Sequence, residues 1–182
     1  MIGLGFWQLA RAGEKDRLLS RYQANLAAPP KEVRDQVDME RDLFRRASVT
    51  CTGPRPTRAA GAGRFGFRLL ADCVALDGGE RLVVQLGTTR ALTTPDWPGG
   101  RVTGYLTFAP DNRSLLRQLF DHRAAGPMIV ADPPLGGLAA NPGPSIDEVP
   151  NNHRSYAFQW FAFALTALVI YGLALRGRGR RA

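Results

Sequence analysis

This chain has two histidines, and one of them stands where it could do chemistry. His153 opens a long apolar run in which Tyr156 and Trp160 follow at i+3 and i+7. At 100° per residue those three positions fall on one stripe of a helix. Ala157 and Ala164 lie close by and are expected to leave the stripe open. An imidazole at the edge of an aromatic face suits a large planar apolar ligand such as haem, because imidazole is a common axial ligand of haem iron. Arg154 would pair with an acidic propionate. The alternative is an interfacial polar residue at the start of a helix, with Tyr156 and Trp160 as the ordinary aromatic belt of a membrane span.

Other constellations are weak. His122 has no carboxylate or nucleophile at a telling spacing, and Ser145 and Ser155 lack a nucleophile-elbow context. Asp147-Glu148 are adjacent carboxylates in a Pro-rich stretch, the usual setting of solvated side chains. Residues 57–66 form a Gly/Ala/Arg stretch without the Gly-Lys-Ser/Thr that a phosphate cradle needs. No CxxC pair or nearby histidine makes Cys51 and Cys73 a metal site. They are either a disulfide or two small buried apolar side chains on strands. The expectation is a protein that binds or assembles rather than one that catalyses, with a membrane-tethered hydrolase as the minor alternative.

The element that positions His153 is a membrane span. Residues 156–175 carry no charge, and Gln159 is the one strongly polar side chain among them. Twenty helical residues reach about 30 Å, the thickness of a bilayer's hydrocarbon core. Arg176, Arg178, Arg180 and Arg181 follow at once. Half of the formal +8 charge therefore lies just past the span, while residues 1–152 hold 19 Lys+Arg against 16 Asp+Glu. That asymmetry puts the C-terminus in the cytoplasm and residues 1–152 on the opposite side, the periplasm of a bacterium with the span in its inner membrane. The bulk of the chain is nearly balanced in charge and has no basic stripe with interleaved aromatics, so nucleic acid is not an expected partner.

At the other end, residues 1–10 are apolar but too short to cross a bilayer, and they have neither the basic start nor the cleavage site of a signal peptide. With Trp7 followed by Arg11, Lys15 and Arg17, they read as the last turns of a first transmembrane helix that is mostly missing. Residues 11–27 continue as a helix with Leu18, Leu19, Tyr22 and Leu26 at helical spacing, stopped by Pro29-Pro30. Residues 31–42 read as a loop or a short exposed helix. Strands are predicted at 44–52, 67–76, 81–87, 101–108 and 127–132, with an Asp77-Gly78 hairpin turn between the second and third. A short helix capped by Asp111, with Leu115, Leu116 and Leu119 on one face, precedes the last strand. Residues 133–150, rich in Pro and Gly, form a long connector.

The expected fold is a membrane-anchored α+β protein: a small antiparallel β-rich extracytoplasmic domain, an N-terminal helix and a C-terminal transmembrane helix. Its divisions are residues 1–10, 11–152, 153–175 and the basic tail 176–182.

Pro150-Asn-Asn-His-Arg-Ser-Tyr-Ala-Phe-Gln-Trp-Phe161 matches every fixed position of a pattern of the Surfeit locus protein 1 family: Pro-Asn-Asn-His, two residues, Tyr-Ala, two residues, Trp-Phe. Gly5-Phe-Trp-Gln-Leu9 with Lys15 resembles that family's first-helix exit. Phe44-Arg-Arg46 leading to Gly53, then Val102-Thr-Gly-Tyr-Leu106 and residues 127–132, come in the family's order. The chain departs from it at Val84-Gln85-Leu86-Gly87-Thr88, where the family's usual Val-Asn-Arg-Gly-Trp has an arginine and an aromatic. The resemblance implies two transmembrane helices enclosing an extracytoplasmic β-rich domain. It also implies a role in assembling cytochrome c oxidase at the step where haem a reaches subunit I, with haem a bound transiently. His153 would be the iron ligand, Tyr156 and Trp160 the apolar face and Arg154 the propionate partner. Expected partners are oxidase subunit I, haem a synthase and the lipid bilayer. The alternative within the family is a scaffold that grips subunit I without binding haem.

Overall fold

The computed structural model describes residues 1–34, 36–76, 79, 81–91, 93–110, 125–146 and 151–179. Two compact units emerge: Tyr22–Pro144, and Met1–Arg21 together with Ser145–Ala182. The expected helix capped by Asp111, His122, the Asp77-Gly78 turn, Asp147-Glu148 and Arg180-Arg181 lie outside the described residues.

Helix α1 (Ile2–Ala27) runs unbroken from the apolar start through the leucine-bearing stretch and ends just before Pro29-Pro30. Its last turn belongs to the β-rich unit. There Asn25 Nδ2 donates to the carbonyls of Arg41 and Leu43 at 2.7 and 2.9 Å, and Tyr22 packs edge-on against Phe44, ring centroids 5.2 Å apart.

Seven strands form one sheet: β1 (Lys31–Glu32), β2 (Arg46–Cys51), β3 (Thr57–Gly61), β4 (Phe67–Val74), β5 (Arg81–Thr89), β6 (Gly100–Phe108) and β7 (Pro127–Ala131), in the order β1-β2-β6-β7-β5-β4-β3. The five strands read from the sequence are all present. The sheet is mixed, however, not antiparallel: β1 pairs with β2, and β7 with β5, in parallel. Strand β7 slots between β6 and β5, antiparallel to the former and so parallel to the latter. Parallel neighbours need a long crossover and leave no tight-turn signature in the chain.

Two further strands come from stretches read as loops. β1, followed by the one-turn α2 (Met39–Asp42), lies within residues 31–42, and β3 within 57–66. β3 is an edge strand, paired with β4 alone and exposed on most of its length, so it shows no apolar alternation. β2 does not alternate strictly, since Ser48 is buried beside Ala47 and Val49.

Leu70, Val84, Val102, Leu106 and Ile129 are fully buried at the centre of the sheet unit. Gly104 is required where β6 meets β7, because a Cβ there would lie 1.9 Å from the Val130 carbonyl oxygen. The sheet curls until β2 reaches β4. Cys51 pairs with Ala75, Thr52 N–H donates to the Val74 carbonyl, and Cys51 is disulfide-bonded to Cys73 with Cα atoms 5.3 Å apart. Both readings of the cysteines hold together: the pair is bonded, and both residues are buried.

Two polar devices fasten the irregular segments of this unit. Asp42, buried in α2, takes an ion pair from Lys31 and another from Arg45 at 3.6 Å. Asn141 bridges β5 and β7: its Nδ2 donates to the Ala131 and Gln85 carbonyls, and its Oδ1 accepts from Gln85 Nε2 at 2.8 Å. The first half of the Pro/Gly connector is thus laid along β5, where Ala139 pairs with Thr88.

Helix α3 (His153–Gly179) is long and apolar enough to cross a membrane, and among the described residues it alone is so. Phe158, Phe163, Leu165, Ile170 and Leu173 are more than half exposed. Such a length and exposed apolar surface match what a bilayer core accepts.

Candidate functional site

His153 is the first residue of α3. Tyr156 N–H bonds to the Asn152 carbonyl at 3.1 Å, which closes the helix's first turn. His153 is therefore held on a regular helical end rather than on a loop.

Helix α1 runs antiparallel to α3. Gly5 and Phe6 meet Phe161, while Asp16 meets Asn151 and Arg154. Small residues make the close approach. Ala12 on one helix and Ala157 and Ala164 on the other are buried. A Cβ on Gly5 would fall 2.6 Å from two ring carbons of Phe161. The Phe161 ring instead fills that space and meets Phe6 edge-on, with centroids 5.3 Å apart.

The stripe read from the sequence is therefore largely an interhelix seam. Ala157 and Ala164 face α1 and do not leave the stripe open. Tyr156 is half exposed at its flank, and Trp160 is half-buried with its ring edge-on to Phe163.

Two polar contacts join α1 to the head of α3, and the sequence signalled neither. The first is Gln8, whose Oε1 lies 2.7 Å from His153 Nδ1. An amide oxygen only accepts, so Nδ1 donates to it, and in the neutral ring Nε2 then holds the lone pair. A metal-binding histidine is commonly oriented this way, with one nitrogen donating to an oxygen and the other left for the metal. Gln8 is the one polar residue among the first ten, which is the clue that could have marked it. The second contact is Asp16, which accepts from Asn151 Nδ2 at 2.8 Å on one oxygen and from Arg154 Nη2 at 2.7 Å on the other. Its negative charge sits at the N-terminal end of α3, where the helix dipole favours it.

Beside His153 a cavity of about 260 Å³ is lined by Arg11, Glu14, Lys15, Leu18 and His153. Its wall is built mostly from the charged turns of α1, and neither Tyr156 nor Trp160 lines it. A drug-sized ligand is usually enclosed by roughly 300–1,000 Å³. A haem-sized group could place only part of itself here, with the remainder against the exposed face of α3. The donor set fits such a group: an oriented imidazole, exposed aromatics along α3, and cations next to the ring.

The family model described as "SURF1 family" matches residues 1–165, from α1 through the buried part of α3. A SURF1-like protein from Monosiga brevicollis is 24% identical over 224 residues, an alignment that covers 99% of this chain and 85% of that protein. The SURF1 family is known for oxidase assembly. With Gln8, Asp16, Asn151, His153 and Arg154 all inside the matched span, the chain belongs to the SURF1 family.

Proposed function

We propose that this protein is a membrane-anchored assembly factor for haem-copper (cytochrome c) oxidase that receives haem a on His153 and assists its delivery to subunit I. The observation that supports the proposal is the Gln8–His153 contact, which orients the imidazole through Nδ1 and leaves Nε2 available to a metal. The haem is cargo, and the protein acts by holding and presenting it, not by catalysis. Tyr156, half exposed on the helix stripe that carries His153, would cover its apolar face. Haem a synthase and oxidase subunit I are the proposed donor and acceptor.

The location proposed is the bacterial inner membrane, with α3 spanning it, the sheet unit in the periplasm and the arginine tail in the cytoplasm. The charge asymmetry across α3 supports that orientation. So does the Cys51–Cys73 disulfide, a bond that persists in the periplasm and is reduced in the cytosol.

The test is to purify the full-length protein from cells that also make haem a. Wild-type protein is expected to carry haem and His153→Ala to lose it. An unchanged haem spectrum in that variant defeats the ligand assignment.

The modest volume of the cavity favours one rival, a scaffold that grips subunit I without haem. In that case His153→Ala would still co-purify with subunit I, and oxidase activity would persist.

A further inference from the structure

We propose that Lys15, and not Arg154, is the cation that receives the acid groups of the cargo. This rests on the haem reading above. Three cations lie near His153, and two of them are already engaged. Arg154 is held by Asp16 at 2.7 Å. Arg11 is held by Glu14 at 2.7 Å. Lys15 has no hydrogen bond or ion pair among the described residues, yet it lines the same cavity as His153. The Arg11–Glu14 pair is neutral as a unit, so the net charge of the cavity wall comes from Lys15.

Size points the same way. The cavity is too small for a whole haem but large enough for its carboxylate edge. An ammonium presents three donors and no acceptor, and a carboxylate can use them without displacing an existing partner. Arg154 keeps other N–H donors, but its charge is already countered by Asp16, and a second carboxylate on the same guanidinium would sit beside that one. The acid groups therefore lie on the α1 side of His153, and the apolar body of the cargo lies along α3. Lys15 acts here as a positioning residue: it sets which edge of the ligand enters, while His153 holds the metal.

The test uses the purified full-length chain in detergent, titrated with iron protoporphyrin IX and, separately, with its dimethyl ester. Binding is read from the shift of the Soret band. Wild-type protein is expected to prefer the free acid. Lys15→Gln should weaken binding of the free acid by about tenfold and leave the ester unchanged, the scale expected of one charge-assisted hydrogen bond at a partly exposed site. Lys15→Arg should retain the preference, and His153→Ala should lose both ligands. If His153→Ala loses both while Lys15→Gln keeps the acid-over-ester preference, the Lys15 assignment is overturned and the haem reading stands. Binding of both ligands that survives His153→Ala overturns the haem reading and this proposal with it. If the cavity instead holds a lipid phosphate, wild-type protein will bind acid and ester alike. Lys15→Gln protein will then co-purify with less anionic phospholipid, and that outcome also overturns the proposal.

Discussion

Gln8 and His153 are 145 residues apart in the chain and meet at 2.7 Å. One lies in the apolar start of α1, the other at the head of α3. Their contact gives the imidazole a defined tautomer, Nδ1–H donating and Nε2 free.

Removing the orienting oxygen should weaken metal binding without removing the ligand. Gln8→Ala is expected to lower affinity for iron protoporphyrin IX by about 10- to 100-fold, the usual cost of losing such an outer partner. The ferric spectrum should still show a histidine-bound species at saturating haem. Affinity equal to that of wild type would mean that the contact does not orient the ring.

The antiparallel pairing of α1 and α3 depends on Gly5 leaving room for Phe161. Gly5→Leu forces that ring aside, and Phe161→Ala should relieve the crowding. A double-mutant cycle on unfolding in detergent is expected to give a coupling of roughly 0.5–3 kcal/mol between the two sites. Additive effects would show that they do not touch.

The disulfide closes a loop of 22 residues between the last residue of β2 and the last but one of β4. The chain-entropy treatment gives about 3 kcal/mol for a loop of that length. Replacing both cysteines by alanine should lower the urea midpoint of the sheet unit accordingly. A reducing agent should do the same to wild-type protein and nothing to the variant. A wild-type midpoint insensitive to reductant would contradict the bond.

Much of the sheet was legible because β2, β4, β5, β6 and β7 carry strong local patterns. The rest was not, for identifiable reasons. β1 is two residues long and meets β2 through one parallel register, so it has no periodicity to read. β3 is an exposed edge whose place is set by backbone pairing with β4, and backbone pairing is indifferent to side-chain type. The anchoring of the Pro/Gly connector rests on Asn141 reaching carbonyls of β5 and β7, groups every residue has and no sequence marks.

The site divides along the same line. His153, Tyr156, Trp160 and Arg154 could be picked out in advance, because they share one helix and helical spacing is a property of the chain itself. That helix's apolar length and its arginine tail were likewise written in the order of residues. The roles of these residues depended on α1. Its approach buried Ala157 and Ala164, committed Arg154 to Asp16, tied the His153 ring to Gln8 and left Lys15, in the wall of the same cavity, without a partner among the described residues. Contacts between segments about 140 residues apart arise from packing two helices together, and a linear pattern carries no record of which faces will meet.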